Sequence, residues 1–225
     1  MTTAAILNRV VQRLSRELAP PSTRLHPFVV DGRTAGWLND TRAWRAALFD
    51  DVFERTSSGL WLRPAIDGPE ARTAALESVA RALAGEGLLT AWRDERYAVA
   101  AAAGDPPLFY LERAAARFFG IATRAVHVNA TTARDGMTAM WIARRSPHKS
   151  IDAGLLDNLV GGGIAADAAI ESTLVKEAWE EAGIPAAVAS SARRAGCVAI
   201  FREQPDGIEN ERIHVHDLTL PFHFE

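Results

Sequence analysis

The sequence predicts an α/β chain of one large or two small globular domains. Three observations carry this reading. Strand-like and helix-like patterns alternate along the chain with no internal repeat and no low-complexity linker. A length of 225 residues, 48% hydrophobic and 24% charged, suits one large or two small globular domains with a sizeable core. A helical pattern closed by Gly183 and preceded by Gly161-Gly162-Gly163 gathers three carboxylates on one face.

The first residues read as an amphipathic helix, with Ile6, Val10, Leu14 and Leu18 at helical spacing, expected to dock through that stripe. Pro20-Pro21 stop it. Phe28 to Arg33 reads as a strand entering an Asp31-Gly32 turn, with Gly36-Trp37-Leu38 returning. Arg42 to Phe49 is a short helix and Val52 to Leu62 an extended run. After the Asp67-Gly68-Pro69 turn, Leu76, Val79, Ala80 and Leu83 form the stripe of a helix over 71–84, ended by Gly85 and Gly87. Two strands around Asp135-Gly136 span 125–131 and 138–145. The run 156–160 leads into a glycine turn. Asp167 is the expected N-cap of the acidic helix, with Glu171 in its first turn and Gly183 as its C-terminal cap. A hairpin around Asp206-Gly207 closes the chain.

Charge and cysteine content exclude several functions. The net charge of −3 offers no basic field for nucleic acid. The single Cys197 permits no internal disulfide, fits a reducing, cytoplasmic location and reads as a buried small hydrophobe. The start has no uninterrupted apolar region, and no stretch of about 20 apolar residues suggests a membrane span; its Arg9, Arg13, Arg16 and Ser15 leave a transit peptide open, against which Glu17 and the helical spacing favour a docking helix. His214, His216 and His223 lack a cysteine partner for zinc. His127 and Asn129 alternate on one strand face, where a hydrogen-bonded histidine is the ordinary case.

The chemistry centres on Lys176-Glu177-Ala178-Trp179-Glu180-Glu181-Ala182-Gly183-Ile184. At about 100° per residue, Glu180 lies about 60° to one side of Glu177 and Glu181 about 40° to the other. Like charges at this spacing cost roughly 0.2–0.5 kcal/mol per pair. A hard divalent cation removes that cost, since Mg²⁺ prefers carboxylate oxygens and keeps waters that can be shared with substrate phosphates.

These residues resemble the signature of the Nudix hydrolases, G-x5-E-x7-R-E-U-x-E-E-x-G-U with U apolar. Gly162 falls on the first glycine, and Glu177, Glu180, Glu181, Gly183 and Ile184 fall on their positions, with Ala178 at an apolar one. Two positions depart: Ala168 replaces the first glutamate and Lys176 the arginine, a point charge in place of a planar fork. Glu171 is a candidate stand-in for the lost carboxylate. The resemblance implies an α/β/α sandwich with a mixed sheet. It implies that Glu177, Glu180 and Glu181 hold Mg²⁺ or Mn²⁺, with the Gly161 carbonyl as a further ligand. One of the three glutamates would act as the base that activates water, and Lys176 would steady Glu177 or reach a phosphate. A homodimer is implied only because such proteins are often dimers. Domains of this kind continue beyond the point where this chain stops, at Glu225, so the second domain is expected to be C-terminally incomplete.

Upstream, WRDERYAV near Trp92, ERAAARFFGI near Glu112, VHVNATT near His127, WIARRSPHK and LDNLVGGGI follow one another in order. That succession is similar to the Nudix subfamily named as related to thiamin pyrophosphokinase, which implies a small α+β domain over residues 1–120 ahead of a Nudix domain over residues 121–225. It implies thiamine diphosphate and its oxidised analogues as substrates. Arg144, Arg145 and Lys149 are candidates to grip a diphosphate. Trp92, Arg93, Glu95 and Tyr97 are candidates for a wall against a heteroaromatic ring in a cleft between the domains. The expected partner is therefore a small-molecule diphosphate, with no nucleic acid and no membrane. Two alternatives remain open: a hydrolase of nucleotide sugars or dinucleotides, and a ligand-binding module that has lost catalysis.

Overall fold

Five phenylalanines, scattered from position 28 to position 119, interlock at the centre of the first of two hydrophobic cores. Phe28 and Phe53 lie 5.3 and 6.0 Å from Phe119, and Phe118 lies 5.1 Å from it, each in a tilted or edge-on arrangement. Phe109 stacks against Phe28 at 5.9 Å. The computed structural model describes residues 2–17, 21–102, 104–134, 136–148, 153–222 and 224.

Helix α1 (Thr3–Glu17) precedes this core, and its stripe of Ile6, Val10 and Leu14 stays exposed, so the expected docking through that stripe is not seen among the described residues. Strands β1 (Leu25–Val30) and β2 (Arg33–Asn39) meet at Asp31 and Gly32, both with positive φ, as a tight two-residue hairpin requires. Helix α2 (Asp40–Ala46) is capped by Asn39, whose side-chain oxygen accepts from the Arg42 N–H. The extended run expected over 52–62 folds into a hairpin of β3 (Phe53–Thr56) and β4 (Gly59–Leu62), and β4 pairs in parallel with β1. Helix α3 (Pro69–Gly85) starts on a proline and buries Leu76, Val79, Ala80 and Leu83. A short antiparallel pair, β5 (Arg96–Val99) and β6 (Phe109–Glu112), leads through a 3₁₀ turn at Arg113–Ala115 into helix α4 (Ala116–Phe119).

The second core is built on a mixed sheet. Strand β7 (Thr123–Arg134) folds back on β8 (Met137–Met140), and β9 (Ala143–Arg144) pairs with β10 (Leu156–Asp157). Strand β11 (Val160–Gly163) is antiparallel to β7. Helices α5 (Ile170–Ala182) and α6 (Ala186–Ala189) follow, then the long hairpin of β12 (Arg193–Gln204) and β13 (Gly207–Thr219). The order is β11-β7-β13-β12, with β13 parallel to β7. Val126, Val128, Ala130, Val160 and Leu218 pack with Leu174 and Ala178 of α5. By strand alternation Ala125, His127 and Asn129 lie on the opposite face.

The chain is thus α/β, with a mixed sheet in its second half and an α+β first half. Three expectations change. The glycine triplet is not a turn but strand β11, in register with β7. Asp167 does not cap α5; Ala169 holds that position. Cys197 is exposed on β12. Among the described residues no helix is long and apolar enough to cross a membrane. Leu18, Pro20, Asp135, Lys149, His223 and Glu225 lie outside the described residues.

Candidate active site

Helix α5 is turned by its apolar face. Thr173, Leu174 and Ala178 are buried, which leaves Glu177 half-buried at the helix flank and Glu180 and Glu181 exposed. Ser172 and Thr173 donate their hydroxyl hydrogens to the Ala169 carbonyl at 3.0 and 2.9 Å, satisfying an acceptor at the helix start. Gly183, at φ 61°, ends the helix in the left-handed region.

The glutamates meet β11, the free edge of the sheet. The Gly161 N–H donates to Glu181 Oε2 at 2.9 Å. In an antiparallel pair the N–H and C=O of one residue point to the same side, so the Gly161 carbonyl also faces this free edge. The Glu177 carboxylate lies against Gly162 so closely that a Cβ there would sit 2.3 Å from its Cδ. Lys176 Nζ stands 3.3 Å from Glu177 Oε1 and 3.4 Å from Glu180 Oε2. Glu177 above all, and Glu180 after it, raise the Lys176 pKa above its ordinary value. Glu171 is exposed in the first turn of the helix, and Ala168 precedes that turn.

The donors offered at this edge are all oxygen: three carboxylates and a backbone carbonyl. That set suits a hard divalent cation and not zinc or copper. Among the described residues no three His, Cys, Asp or Glu side chains are drawn together around one point. The Lys176 ammonium bridges two of the carboxylates and Glu181 accepts a backbone N–H, which offsets only part of the negative charge of the three.

A polar cleft of about 210 Å³ opens where the first half of the chain meets the sheet, lined among others by Arg93, Tyr97, Arg113, Arg117, Arg145 and Glu211. Arg145 donates to Asp157 Oδ2 at 2.7 Å. Arg144 instead turns to the Gly154 carbonyl at 2.8 Å and is exposed away from the cleft. Of the expected aromatic wall, Arg93 and Tyr97 line the cleft. Trp92 carries Arg81 over its ring at 4.9 Å, and Glu95 pairs with Arg113 at 2.9 Å. Burial pushes the Tyr97 phenol up to about 12, so it is a neutral hydrogen-bond donor at physiological pH. Burial also raises the Glu211 pKa, reinforced by Glu209.

His127 is hydrogen-bonded to Asn158 Oδ1 at 2.8 Å, and the Asn158 amide donates to Asn129 Oδ1 at 2.6 Å, the ordinary arrangement expected of it. His216 is buried, and both ring nitrogens of His214 are buried without a hydrogen-bond partner among the described residues.

Arg113 and Glu211, which line the cleft, are not singled out by the sequence; Arg113 lies within ERAAARFFGI, and no local periodicity distinguishes it from Arg117. Its partner lies 50 positions further on, at Gly163. The only signal is that third glycine, which no turn requires.

A sheet whose edge strand of glycines faces a helix bearing Glu177, Glu180 and Glu181 defines a class. Residues 123–221 match the family described as "NUDIX domain", and the chain belongs to the Nudix superfamily. Residues 7–123 match a second family, described as "Domain of unknown function (DUF4743)". Among individual relatives, the chain is 34% identical to "Nudix hydrolase 24, chloroplastic" of Arabidopsis thaliana over 200 residues, covering 88% of this chain and 55% of the relative. It is 34% identical to "Nudix hydrolase 20, chloroplastic" of the same plant over 207 residues, again covering 88% and 55%. It is 28% identical to "Uncharacterized protein YJR142W" of Saccharomyces cerevisiae over 200 residues, covering 81% of this chain and 58% of that one. The chain therefore spans a little over half the length of the curated relatives it matches.

Proposed function

We propose that the chain is a Mg²⁺- or Mn²⁺-dependent hydrolase of a diphosphate linkage in a small molecule, working as two units over residues 1–120 and 121–225. The observation that carries this is the position of three glutamates of one helix beside the free, glycine-lined edge of β11. The names of the two plant relatives support the hydrolase class.

In this reading Glu177, Glu180, Glu181 and the Gly161 carbonyl hold the divalent cation, which when bound neutralises charge on the phosphate oxygens. Glu177 is the best-placed base, because it is the least exposed of the three and is fixed between Gly162 and Lys176. It would take a proton from the attacking water. Lys176 screens Glu177 from Glu180 and orients both. Arg145, which lines the cleft, is the member of the Arg144, Arg145 and Lys149 group that this reading assigns to a phosphate.

The finer substrate is thiamine diphosphate or its oxidised analogues. The support is the ordered succession of motifs from Trp92 to Gly163 and the cleft that holds Arg93 and Tyr97. A cytoplasmic location, a homodimer and the absence of a nucleic-acid partner belong to the same reading, supported by the single cysteine, the habit of the family and the net charge of −3. A second reading, a binding module without turnover, is favoured by one feature, the absence of a carboxylate at Ala168.

The test is Mg²⁺-dependent phosphate release from thiamine diphosphate, its oxidised analogues, ADP-ribose and a dinucleotide, with Glu180→Gln as the blank. Release from the thiamine compounds, abolished in the variant, is the expected result. Release only from ADP-ribose or dinucleotides removes the thiamine assignment. Binding without release from any of them favours the module.

A further inference from the structure

We propose that Arg113, carried by the first half of the chain, is a diphosphate-contacting residue of this site, seated there by Tyr97 and the bare backbone of Gly163. The proposal rests on reading the site as one for diphosphates.

Gly163 has an ordinary strand conformation, so its backbone does not call for glycine. Space does. A Cβ at this position would lie 2.5 Å from Tyr97 Oη and 3.3 Å from Arg113 Cζ and Nη2. The next glycine back, Gly162, makes room in the same way for the Glu177 carboxylate. Two consecutive residues of one short strand thus receive, from different elements, a carboxylate of the proposed catalytic helix and a guanidinium of the opposite unit. Successive residues of a strand lie about 3.3 Å apart along its axis and point to opposite faces, so Glu177 and Arg113 flank β11 on its two sides. Burial opposes the Arg113 charge, and its acidic neighbours, Glu95 and Glu177 among them, favour it, so its pKa is raised.

The guanidinium is held, yet has donors to spare. Arg113 Nη1 donates to Glu95 Oε2 at 2.9 Å, and its backbone N–H donates to the Glu95 carbonyl at 2.8 Å. The Tyr97 ring lies 6.0 Å from Cζ. A guanidinium carries five N–H donors, and this side chain is 41% exposed, at the cleft wall. Arg117, nearby, is engaged by both Glu209 and Asp206. Lys176 is a point charge already shared by two carboxylates. Arg113 offers a planar fork at the end of β11, on the face away from Glu177, where a diphosphate reaching round the free edge would meet it, and such a fork matches two oxygens of a phosphate. The first half of the chain would then complete the site.

The probe is methylenediphosphonate, a diphosphate that cannot be hydrolysed, titrated calorimetrically with Mg²⁺ into the full chain. Arg113→Gln should weaken binding roughly ten- to a hundredfold, the effect of losing hydrogen bonds to a charged group. Arg113→Lys should fall between. Gly163→Ala, which keeps every charge but displaces Tyr97 and Arg113, should also weaken binding. Arg81→Gln, on α3, should bind as the wild type does. On any substrate that is turned over, Arg113→Gln should raise KM more than it lowers kcat. Wild-type chain that does not bind the diphosphonate overturns the proposal, as does Arg113→Gln binding within twofold of wild type with only a lower melting temperature. Turnover by wild type alongside unchanged Arg113→Gln binding removes this proposal alone. Arg113-dependent binding by a chain that hydrolyses nothing removes the catalytic reading alone.

Discussion

The Glu177 carboxylate occupies the space a side chain on Gly162 would fill: a Cβ there would come 2.3 Å from Glu177 Cδ. Glycine at 162 is therefore a condition for where that carboxylate stands. Its backbone lies in ordinary strand geometry, paired with Val126.

Gly162→Ala should accordingly act on function before stability. The clashing atoms belong to a flexible side chain, so the fold can absorb the methyl by moving Glu177. Overpacking of this kind costs about 1–3 kcal/mol at most. Turnover should fall at least tenfold while the melting temperature drops only modestly. Gly196→Ala is the control, since a Cβ at Gly196 meets nothing within 4 Å. Steady-state kinetics and thermal melts on the two variants check this, and equal activity in both would remove the role given to Gly162.

Much of this arrangement was readable from the residues. The three glutamates had to share a face because a helix repeats every 3.6 residues, and the stripe on α3 was legible for the same reason. The Asp31-Gly32 and Asp206-Gly207 turns announced their hairpins. Gly161-Gly162-Gly163 was misread because alternation, the mark of a strand, has nothing to alternate when side chains are absent. Asp167 has the right chemistry for a cap, but α5 starts at Ile170, where Ile170 and Leu174 pack toward the second core. Arg113 was invisible because its contact to Gly163 is long-range, and no local pattern encodes which of the two arginines in LERAAARFFG, Arg113 or Arg117, will meet β11.

Glu209 joins the two halves and should set the acid limit of the fold. It is buried and accepts from Arg117 on α4 at 2.8 Å and from Arg202 on β12. Burial pushes its pKa up, but Arg202 and Arg117 outweigh that and hold it below the usual carboxylate range. A depressed carboxylate contributes stability above its unfolded pKa, about 4.3, and loses it as pH falls through the lower folded value. Glu209→Gln should lower stability at neutral pH by roughly 1.5–3 kcal/mol. It should also flatten the fall in stability below about pH 4.3. Denaturant melts at pH 7 and between pH 5 and 3 would show both. A variant with the wild-type acid profile would mean that Glu209 does not carry this linkage.

The central claim is that Glu177, Glu180 and Glu181 hold a divalent cation at the free edge of β11. The most direct measurement is a Mn²⁺ titration of the full chain followed by electron paramagnetic resonance, on wild type and on Glu180→Gln. The account predicts a bound Mn²⁺ in the wild type that is released by competing Mg²⁺ and weakened at least tenfold in the variant. No bound Mn²⁺ in the wild type, or binding undiminished by Glu180→Gln, would contradict it.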